Sequence, residues 1–573
     1  MKARNKNGVR PVGLTARRHG RRNLVFLGLT MAFAAGNASA FQIETDNPDL
    51  RMTLDTTLRY NALWRAEGRD PGLVSPATDE GQFIAGKGDL ALSRLDAYTE
   101  FDLTMRNDYG LRLSAAAWYD TNFDSRGKSD PRYASIANYP GNEFPGSVTR
   151  YYRGPSAEFM DAFVWTNLQL GETQLNAKVG RFAWLPGEFL FGNGSSFTYS
   201  MAPNDGRKSD LSPGSSAKET AIPIGQAGLS WQLNSDVSVL AQYTGEFRSS
   251  RISEGGTFFA IGDGATLTAP FLTRVPVDIP RKEAREGDKG DVALGVRWSP
   301  QSLGGNALSF WYRKFDDKSP TWLNQVSVGP TGARQAQAVY AKDIELYGLA
   351  YNAHVGSWAV GAELNYRKNM PLAVRSGVAY GTFPGLVQDA SLEGPRGDTY
   401  HALLSGVMTI NKNSFFDSGS VAVQLDYMYL DEITKHKNLF NGSMSGQPGV
   451  CADNEILRGC STRHAASVAM SFTPMWQQAL PSVDVSMPVV FLYGLHGNPA
   501  ATNAGILPEG SYLARIGGRL EWFKGQHKHQ FDLSYTRRDG DTGVLPGATA
   551  TSYSGLANFR DRDYVSFTYS TAF

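Results

Sequence analysis

The chain has 573 residues, of which 41% are hydrophobic and only 19% charged, with 61 Gly, 25 Tyr, 30 Phe, 11 Trp and just 2 Cys. Outside the N-terminus no apolar run reaches the roughly 20 residues of a membrane-spanning helix, which excludes a helical membrane protein. The wealth of Gly and Tyr and the shortage of charge favour strands over an ordinary helical enzyme.

The formal net charge of +1 is set by the leader. Residues 1–22 hold eight cations (Lys2, Arg4, Lys6, Arg10, Arg17, Arg18, Arg21, Arg22) and no acid. An apolar stretch from Leu24 to Ala35 follows, then Ala38-Ser39-Ala40 before Phe41. This pattern predicts a secretory signal peptide over 1–40, and a short membrane anchor is the alternative, although its apolar core is too short to span. Since Phe41, not Cys, follows the cut, it is not a lipoprotein leader. Removing it takes the balance from +1 to −7. An exported acidic chain is not expected to bind nucleic acid.

From residue 50 onward the dominant signal is period-2 alternation, which predicts strands. Met52, Leu54, Thr56, Leu58, Tyr60, Ala62 and Trp64 alternate with Thr53, Asp55, Thr57, Arg59, Asn61 and Arg65; only Leu63 breaks the polar set. That run exceeds the usual ~5–6 residues of a soluble strand and suits the ~9–11 residues of a tilted strand across a bilayer. A hairpin follows: Leu95, Ala97, Phe101, Leu103 and Met105, a turn at Asn107-Asp108-Tyr109-Gly110, and Leu111, Leu113, Ala115, Ala117 and Tyr119. Similar runs recur around Ala227–Leu233, Val237–Tyr243, Val292–Trp298, Trp358–Tyr366, Val421–Tyr427, Tyr512–Trp522 and Phe531–Tyr535.

About eighteen strands are expected. Their connections alternate, short near 107–110, 169–173, 234–236, 300–306, 354–357, 411–419, 474–482 and 524–528. Long ones fall near 66–90, 121–156, 186–224, 249–289, 316–342, 369–399, 431–464, 494–510 and 539–562. This predicts an all-β fold of a particular kind, a transmembrane antiparallel β-barrel with short periplasmic turns and long external loops. Closure is required because lipid offers an open sheet edge no hydrogen bonds. Trp231, Trp298, Trp358 and Trp522 stand beside short turns, and Tyr243, Tyr366, Tyr429, Tyr512 and Tyr535 at opposite strand ends, as two aromatic girdles require. The chain ends in alternating residues and a terminal Phe573, a signal of the kind read by the barrel-assembly machinery of bacterial outer membranes. A secreted β-sandwich or solenoid is the alternative, and it needs neither the long strands nor the strict loop rhythm.

The polar strand faces then line a lumen. Inward candidates are Arg59, Glu100, Arg112, Arg297, Arg313, Glu363, Arg367, Asp426, Asp484, Arg515, Arg519 and Asp532. Both signs occur, so no strong ion filter is predicted; the plain alternative is that the charges pair across strands. Segment 186–222, rich in Gly, Ser, Asn, Asp and Pro, is the candidate plug loop, with Asn204, Asp205, Arg207, Lys208 and Glu219 its chemical groups. A mobile external loop is the alternative. Cys451 and Cys460 predict one small-loop disulfide in an oxidising compartment, with free thiols as the alternative, and His464 alone does not complete a metal site. Without GxSxG, HExxH or a P-loop, the expectation is no enzyme, no cofactor and no metal, although a hydrolytic site at the rim stays open.

Several strings appear in an order that adds to this. They are Leu54-Asp55-Thr56-Thr57-Leu58-Arg59-Tyr60, Gly88-Asp89-Leu90, Val179-Gly180-Arg181 with Pro186-Gly187-Glu188, Pro203-Asn204-Asp205, Leu211-Ser212-Pro213-Gly214, Lys218-Glu219, Glu363-Leu364-Asn365-Tyr366-Arg367 with Pro371-Leu372, and Val483-Asp484-Val485-Ser486-Met487-Pro488. The chain thereby resembles a proteobacterial outer-membrane β-barrel family of unknown function, often encoded beside a second unknown-function, lipoprotein-carrier-like protein. One departure is local: that family usually carries Trp-Gly-Glu after the Gly-Arg strand, where this chain has Trp184-Leu185-Pro186-Gly187-Glu188. The resemblance implies an outer-membrane location among lipid and lipopolysaccharide, a possible periplasmic carrier as partner, and hydrophobic or amphipathic substrates. The expected function is a channel for passive passage of small molecules. A surface receptor or adhesin barrel, or an outer-membrane hydrolase, are the alternatives.

Overall fold

A computed structural model describes residues 41–264, 268–274, 278–326, 334–374, 393–447, 451–452, 455–524, 527–545 and 551–573. The expected leader, 1–40, lies outside them.

One antiparallel sheet of 20 strands closes on itself. One of the 20 is a short N-terminal strand, Phe41–Ile43, laid against residues 52–54, and one stave is split in two, which leaves eighteen staves. In chain order they are β1 (Leu50–Arg65), β2 (Leu90–Met105), β3 (Tyr109–Asp120), β4 (Ser156–Leu170), β5 (Thr173–Phe182), β6 (Ile224–Gln232), β7 (Val237–Thr244), β8 (Val292–Trp298) and β9 (Ala307–Phe315). There follow β10 (Ile344–Val355), β11 (Trp358–Pro371), β12 (Arg396–Ile410), β13 (Ser418–Lys435), β14 (His464–Leu480), β15 (Val483–Ser486 and Val489–His496), β16 (Tyr512–Lys524), β17 (His527–Asp539) and β18 (Tyr564–Ala572). Each stave pairs with its sequence neighbours, and β18 returns to β1 with Arg65 opposite Tyr564 and Thr57 opposite Ala572. Phe573 completes the seam by exchanging backbone hydrogen bonds with Thr56 at 2.7 and 2.9 Å.

Every expected stave is present, and long and short connections alternate around the barrel. The strict antiparallel order then gathers every short turn at one rim and every long loop at the other. The register also settles the two faces. Leu54, Trp64, Leu95, Leu113, Leu294, Leu364, Leu404 and Leu533 stay exposed on the outside, while Arg59 pairs with Asp96 and Asp55 with Glu100 on the inside. Trp231, Trp298 and Trp522 are exposed on the outer face beside short turns, and Tyr243 at the opposite rim.

The long-loop half of the interior is packed. One apolar core joins Phe197 and Tyr199 of the 183–223 loop to Trp311, Leu346, Met428 and Leu430 of the wall and to Ala500, Ala504 and Ile506. A second joins Leu63, Tyr98 and Trp118 of the wall to Tyr139, Phe144, Val148 and Tyr152 of the 121–155 loop and to Leu211, Phe258 and Phe259. The long loops are therefore not merely external; parts of them fill the cylinder. Cys451 and Cys460, in the 436–463 loop, are joined by a disulfide.

Candidate functional site: a lumen bridged by one loop

The chain leaves β5 at Phe182 and turns into the barrel at Pro186-Gly187-Glu188. The backbone amides of Glu188 and Phe197 both donate to the Glu363 carboxylate, at 2.7 and 2.8 Å. Gln424 accepts from the amides of Leu190 and Phe191 at 2.7 and 3.0 Å and donates to the Gly192 carbonyl at 2.8 Å. Asn365 and Arg367 donate to the carbonyls of Ser195 and Ser196, each at 2.8 Å. Arg313 donates to those of Phe197 and Tyr199 at 2.7 and 2.6 Å. The ring of Phe197 stacks on Trp311 with centroids 4.5 Å apart, and the Tyr199 hydroxyl donates to Asp317 at 2.6 Å. These anchors come from β9, β11 and β13 and the start of the 316–343 loop. They neutralise by hydrogen bonding the backbone groups of a segment with no sheet partner, as burial requires. Gly361 of β11 is needed where Glu188 passes: a Cβ there would lie 2.5 Å from that of Glu188.

The loop then crosses to the opposite wall. Asp205 caps the helix Gly206–Leu211 by accepting from the Lys208 amide, and it also accepts from the Tyr151 hydroxyl at 2.6 Å and from Arg251 at 2.9 Å. Asn204 is exposed and takes part through its backbone, which accepts from the Arg251 amide at 2.8 Å. Arg207 lies over the Tyr151 ring at 3.6 Å and reaches Glu254 at 3.3 Å. Burial holds the Lys208 ammonium below its ordinary range. The helix Ala217–Thr220 opens with a Ser216–Glu219 capping box, and Glu219 forms a bidentate pair with Arg59 of β1, both contacts at 3.0 Å. Burial alone would raise the Glu219 carboxyl, but the Arg59 guanidinium overrides it and holds it below the usual range. Ser212 receives bonds from Arg59 and Asn61 at 3.3 and 3.1 Å, and Lys218 pairs with Glu100 of β2.

The twelve wall residues named as inward candidates lie on the inner face by register, and nine of them divide into two groups. Arg59, Glu100, Arg313, Glu363 and Arg367 are occupied in holding the loop. Arg112, Arg297, Arg515 and Arg519 face the open part of the lumen. Arg112 pairs with Asp102 at 2.7 and 2.9 Å, Arg519 with Asp532 at 2.5 Å, and Arg515 donates to Ser534 at 3.1 Å. Arg297 joins none of these pairs and has no ion-pair partner among the described residues. Sequence reasoning missed Gln424, Asn365, Asp317 and the Phe197–Trp311 stack. Gln424 and Asn365 stand on the polar side of clear alternations and were findable; the stack joins residues far apart in sequence and was not.

Toward the short turns the lumen opens into a cavity of about 540 Å³ lined by Arg51, Thr53, Asp55, Asp102, Thr104, Arg112, Phe163, Trp165, Asn176 and Lys178. It lies just beyond the Lys218–Glu100 contact, since Asp55 stands opposite Glu100. Among the described residues no group of His, Cys, Asp and Glu is placed to hold a metal ion.

Fold and site together define a closed eighteen-stave barrel whose interior is crossed from wall to wall by the 183–223 loop, with parts of other long loops packed beside it. The chain belongs to the DUF1302 family of proteins of unknown function, whose sequence profile matches residues 21–573. Among curated proteins, none matches the sequence. Solved structures that resemble it include OccAB1 of Acinetobacter baumannii, with 8% identity, 91% of this chain and 96% of that chain covered, and a TM-score of 0.40. A BenF-like porin from Pseudomonas fluorescens has 8% identity, 92% and 98% coverage and a TM-score of 0.39. Pseudomonas aeruginosa OpdK with vanillate has 11% identity, 91% and 98% coverage and a TM-score of 0.38. Likenesses this distant leave the barrel resting on its own strand pairing.

Proposed function

We propose that this protein is an outer-membrane channel for the passive passage of small molecules, with the 183–223 loop as its constriction. The observation that carries the reading is the combination of a closed sheet, apolar outside and polar inside, with one loop bridging its interior. The apolar exterior suits lipid, and closure satisfies every strand edge there. On this reading the short turns and both chain ends face the periplasm, the long loops and lipopolysaccharide face outward, and the C-terminal strand suits the barrel-assembly machinery. A periplasmic carrier would meet the short-turn rim. No step needs a cofactor or a covalent intermediate.

The wall also supports amphipathic substrates. By register, the inward residues of β16 through β5 include Arg515, Arg519, Asp532, Arg51, Asp55, Asp102, Arg112 and Lys178. Those of β7 through β15 include Leu240, Ala350, Leu403, Val407, Ala422, Ala469, Val490 and Leu492, with Arg297 an open charge among them and Arg313, Glu363 and Arg367 taken up by the loop. A molecule with one charged and one apolar side finds both surfaces in a single passage.

Planar-bilayer recording tests the reading. The purified protein is expected to give discrete conductance steps, and deletion of 200–216, which removes Asp205 and Ser212, is expected to enlarge them. Unchanged conductance in the deletion would remove the loop's role as constriction. A receptor or adhesin barrel would give no steps at all.

A further inference from the structure

Beyond the lumen, three of the long loops meet around two buried carboxyls. Asp263 of the 245–291 loop is fixed to the 66–89 loop, its amide donating to the Ala77 carbonyl at 2.9 Å. Asn138 of the 121–155 loop is tied to both of the others. Its amide donates to the Glu80 carboxylate at 2.5 Å, and its Nδ2 to the Asp263 carbonyl at 2.6 Å. Glu80, Asp263 and Asn138 are 2%, 3% and 5% exposed. Gly256 makes room for the meeting. It sits at φ +73°, and a Cβ there would lie 2.7 Å from Glu80 Oε2, so any side chain at 256 would fill the space beside that carboxylate.

What gathers there is acceptor without donor. Asp263 Oδ2 and Asn138 Oδ1 are buried and receive no hydrogen bond. Neither Glu80 nor Asp263 has an ion-pair partner among the described residues. The same holds for the adjacent Asp79, also buried, which accepts from the Asp130 amide. The cations that come near are committed to other acids: Arg132 to Asp130, Arg274 to Asp278, and Arg562 to Asp561, which it shares with Arg65. Arg562 also donates to the carbonyls of Phe258, Ala260 and Asn558, and it offsets at most one of the three acids. Burial, and then the charge of Glu80, raise the Asp263 carboxyl, which places the two carboxyls within reach of each other. Buried charges are paired or coordinate metals, and otherwise they take up a proton.

We infer that Glu80, Asp263 and Asn138 bind a calcium ion that fastens the three outer loops together. Carboxylates and an amide oxygen suit a hard cation. Among the described residues no cluster of three or more acids or imidazoles stands ready for a metal. The site is instead built of two carboxylates and one neutral oxygen, and backbone carbonyls or water complete the roughly six to eight oxygens that calcium takes. Magnesium keeps several of its waters, and a site this buried has little room for them. So modest a ligand charge suits the affinity of about 0.1–1 mM found in extracellular modules, and the long loops face outward in the channel reading. A proton holds the Glu80–Asp263 pair together at low pH, and calcium holds it together above that range. The site does not depend on whether the lumen conducts.

Equilibrium dialysis of radioactive calcium against the refolded full chain, free of lipopolysaccharide and stripped of metal with EDTA, tests it at pH 7.5. Saturable binding of one ion per chain is expected, with a Kd of about 1 mM or tighter, and magnesium is expected to bind at least tenfold more weakly. Asp263→Asn and, separately, Glu80→Gln are each expected to weaken calcium at least tenfold. Asp278→Asn, which removes an acid already paired with Arg274, is expected to leave it unmoved. Calcium is also expected to slow proteolysis of the outer loops at least tenfold in the unaltered protein and not in Asp263→Asn. Heat-dependent gel mobility shows that each variant has closed its barrel, and Glu80→Gln carries the comparison if Asp263→Asn has not. No saturable binding, or binding indifferent to both substitutions, overturns the site. Loops protected at pH 5 and untouched by calcium at pH 7.5 would mean that a proton alone holds the pair, which also overturns it. Binding without protection overturns the fastening of the loops, and equal affinity for magnesium overturns the choice of calcium.

Discussion

The two halves of the lumen use the same kinds of residue to opposite ends. In the long-loop half the Arg59–Glu219 pair is almost sealed, with side-chain exposures of 6% and 4%, and Glu363 and Arg313 spend their bonding capacity on loop backbone. In the short-turn half the Arg112–Asp102 pair is 38% and 24% exposed and borders open space. Residue type does not separate them; a backbone segment reaching the wall does. A buried charge is tolerable only when it is paired and hydrogen-bonded, so each wall charge under the loop marks a point where the loop is held. An exposed pair of the same composition stabilises little and is free to meet a solute.

The sharpest way to break this contrast is on the sealed side. Arg59→Ala leaves the Glu219 carboxylate buried without its cation, at a cost of roughly 3–5 kcal/mol. The barrel staves stay paired, so the cost falls on the 206–220 segment, which is expected to leave the wall. Amide exchange in that segment should accelerate, while that of residues 193–199, held by Glu363 and Gln424 on the other wall, stays slow. Adding Glu219→Ala should restore part of the loss, because it removes the stranded charge. Equal acceleration across both segments would show that the loop is held as one unit.

The outer cap offers a test by pH. Glu80 accepts from the Asn138 amide at 2.5 Å, and Asp79 from the Asp130 amide at 2.7 Å, so the 66–89 loop is pinned to the 121–155 loop by two carboxyls. Burial pushes Glu80 up to about 7, and burial together with the nearby Glu80 holds Asp263 well above the usual carboxyl range. The packed cap therefore binds protons more tightly than the open one. Its stability is fullest below the ordinary glutamate value of about 4.5 and is lost as pH rises from there toward 7. The loss is shared between Glu80 and Asp263, whose carboxyls lie close enough to titrate together. Proteolysis of the loops in folded protein should be faster at pH 7.5 than at pH 5. Glu80→Gln should flatten that dependence, and an unchanged pH profile in the variant would place the switch elsewhere.

Much of the barrel was legible because lipid and lumen impose alternation on every stave. Even the exceptions were informative. Leu63 is the one apolar residue on the polar side of β1, and in the structure it is fully buried in the core shared with Phe258 and Phe259. Trp311, Leu346, Met428 and Leu430 are likewise inward and apolar. An apolar residue on a lumen face marks where a loop comes to rest. Its partner is not legible, because nothing local to Trp311 points to Phe197, more than a hundred residues earlier. The loop's boundaries and its Arg, Lys and Glu groups were readable from composition. The segment held most densely, 193–201, lies inside the candidate plug loop but carries no charge, so none of its residues stood among that loop's chemical groups.

The smallest expected effect is the one that defines the open half. Arg112→Gln removes the guanidinium from a pair that is more than a third exposed on the arginine side. Solvent screening limits the stability change to about 0.2–1 kcal/mol, an order smaller than that of Arg59→Ala. Its consequence is instead a local change of field: one positive charge is lost beside Asp102 and Asp55, which makes this part of the lumen less favourable for an anion. The reversal potential in a salt gradient should shift toward cations, more at low ionic strength than at high, because the Debye length shortens from about 30 Å at 0.01 M to about 8 Å at 0.15 M. Arg59→Ala, acting through the loop, should instead change the size of the conductance steps, with little dependence on salt. If Arg112→Gln altered step size as Arg59→Ala does, the division of the lumen into a held half and an open half would be wrong.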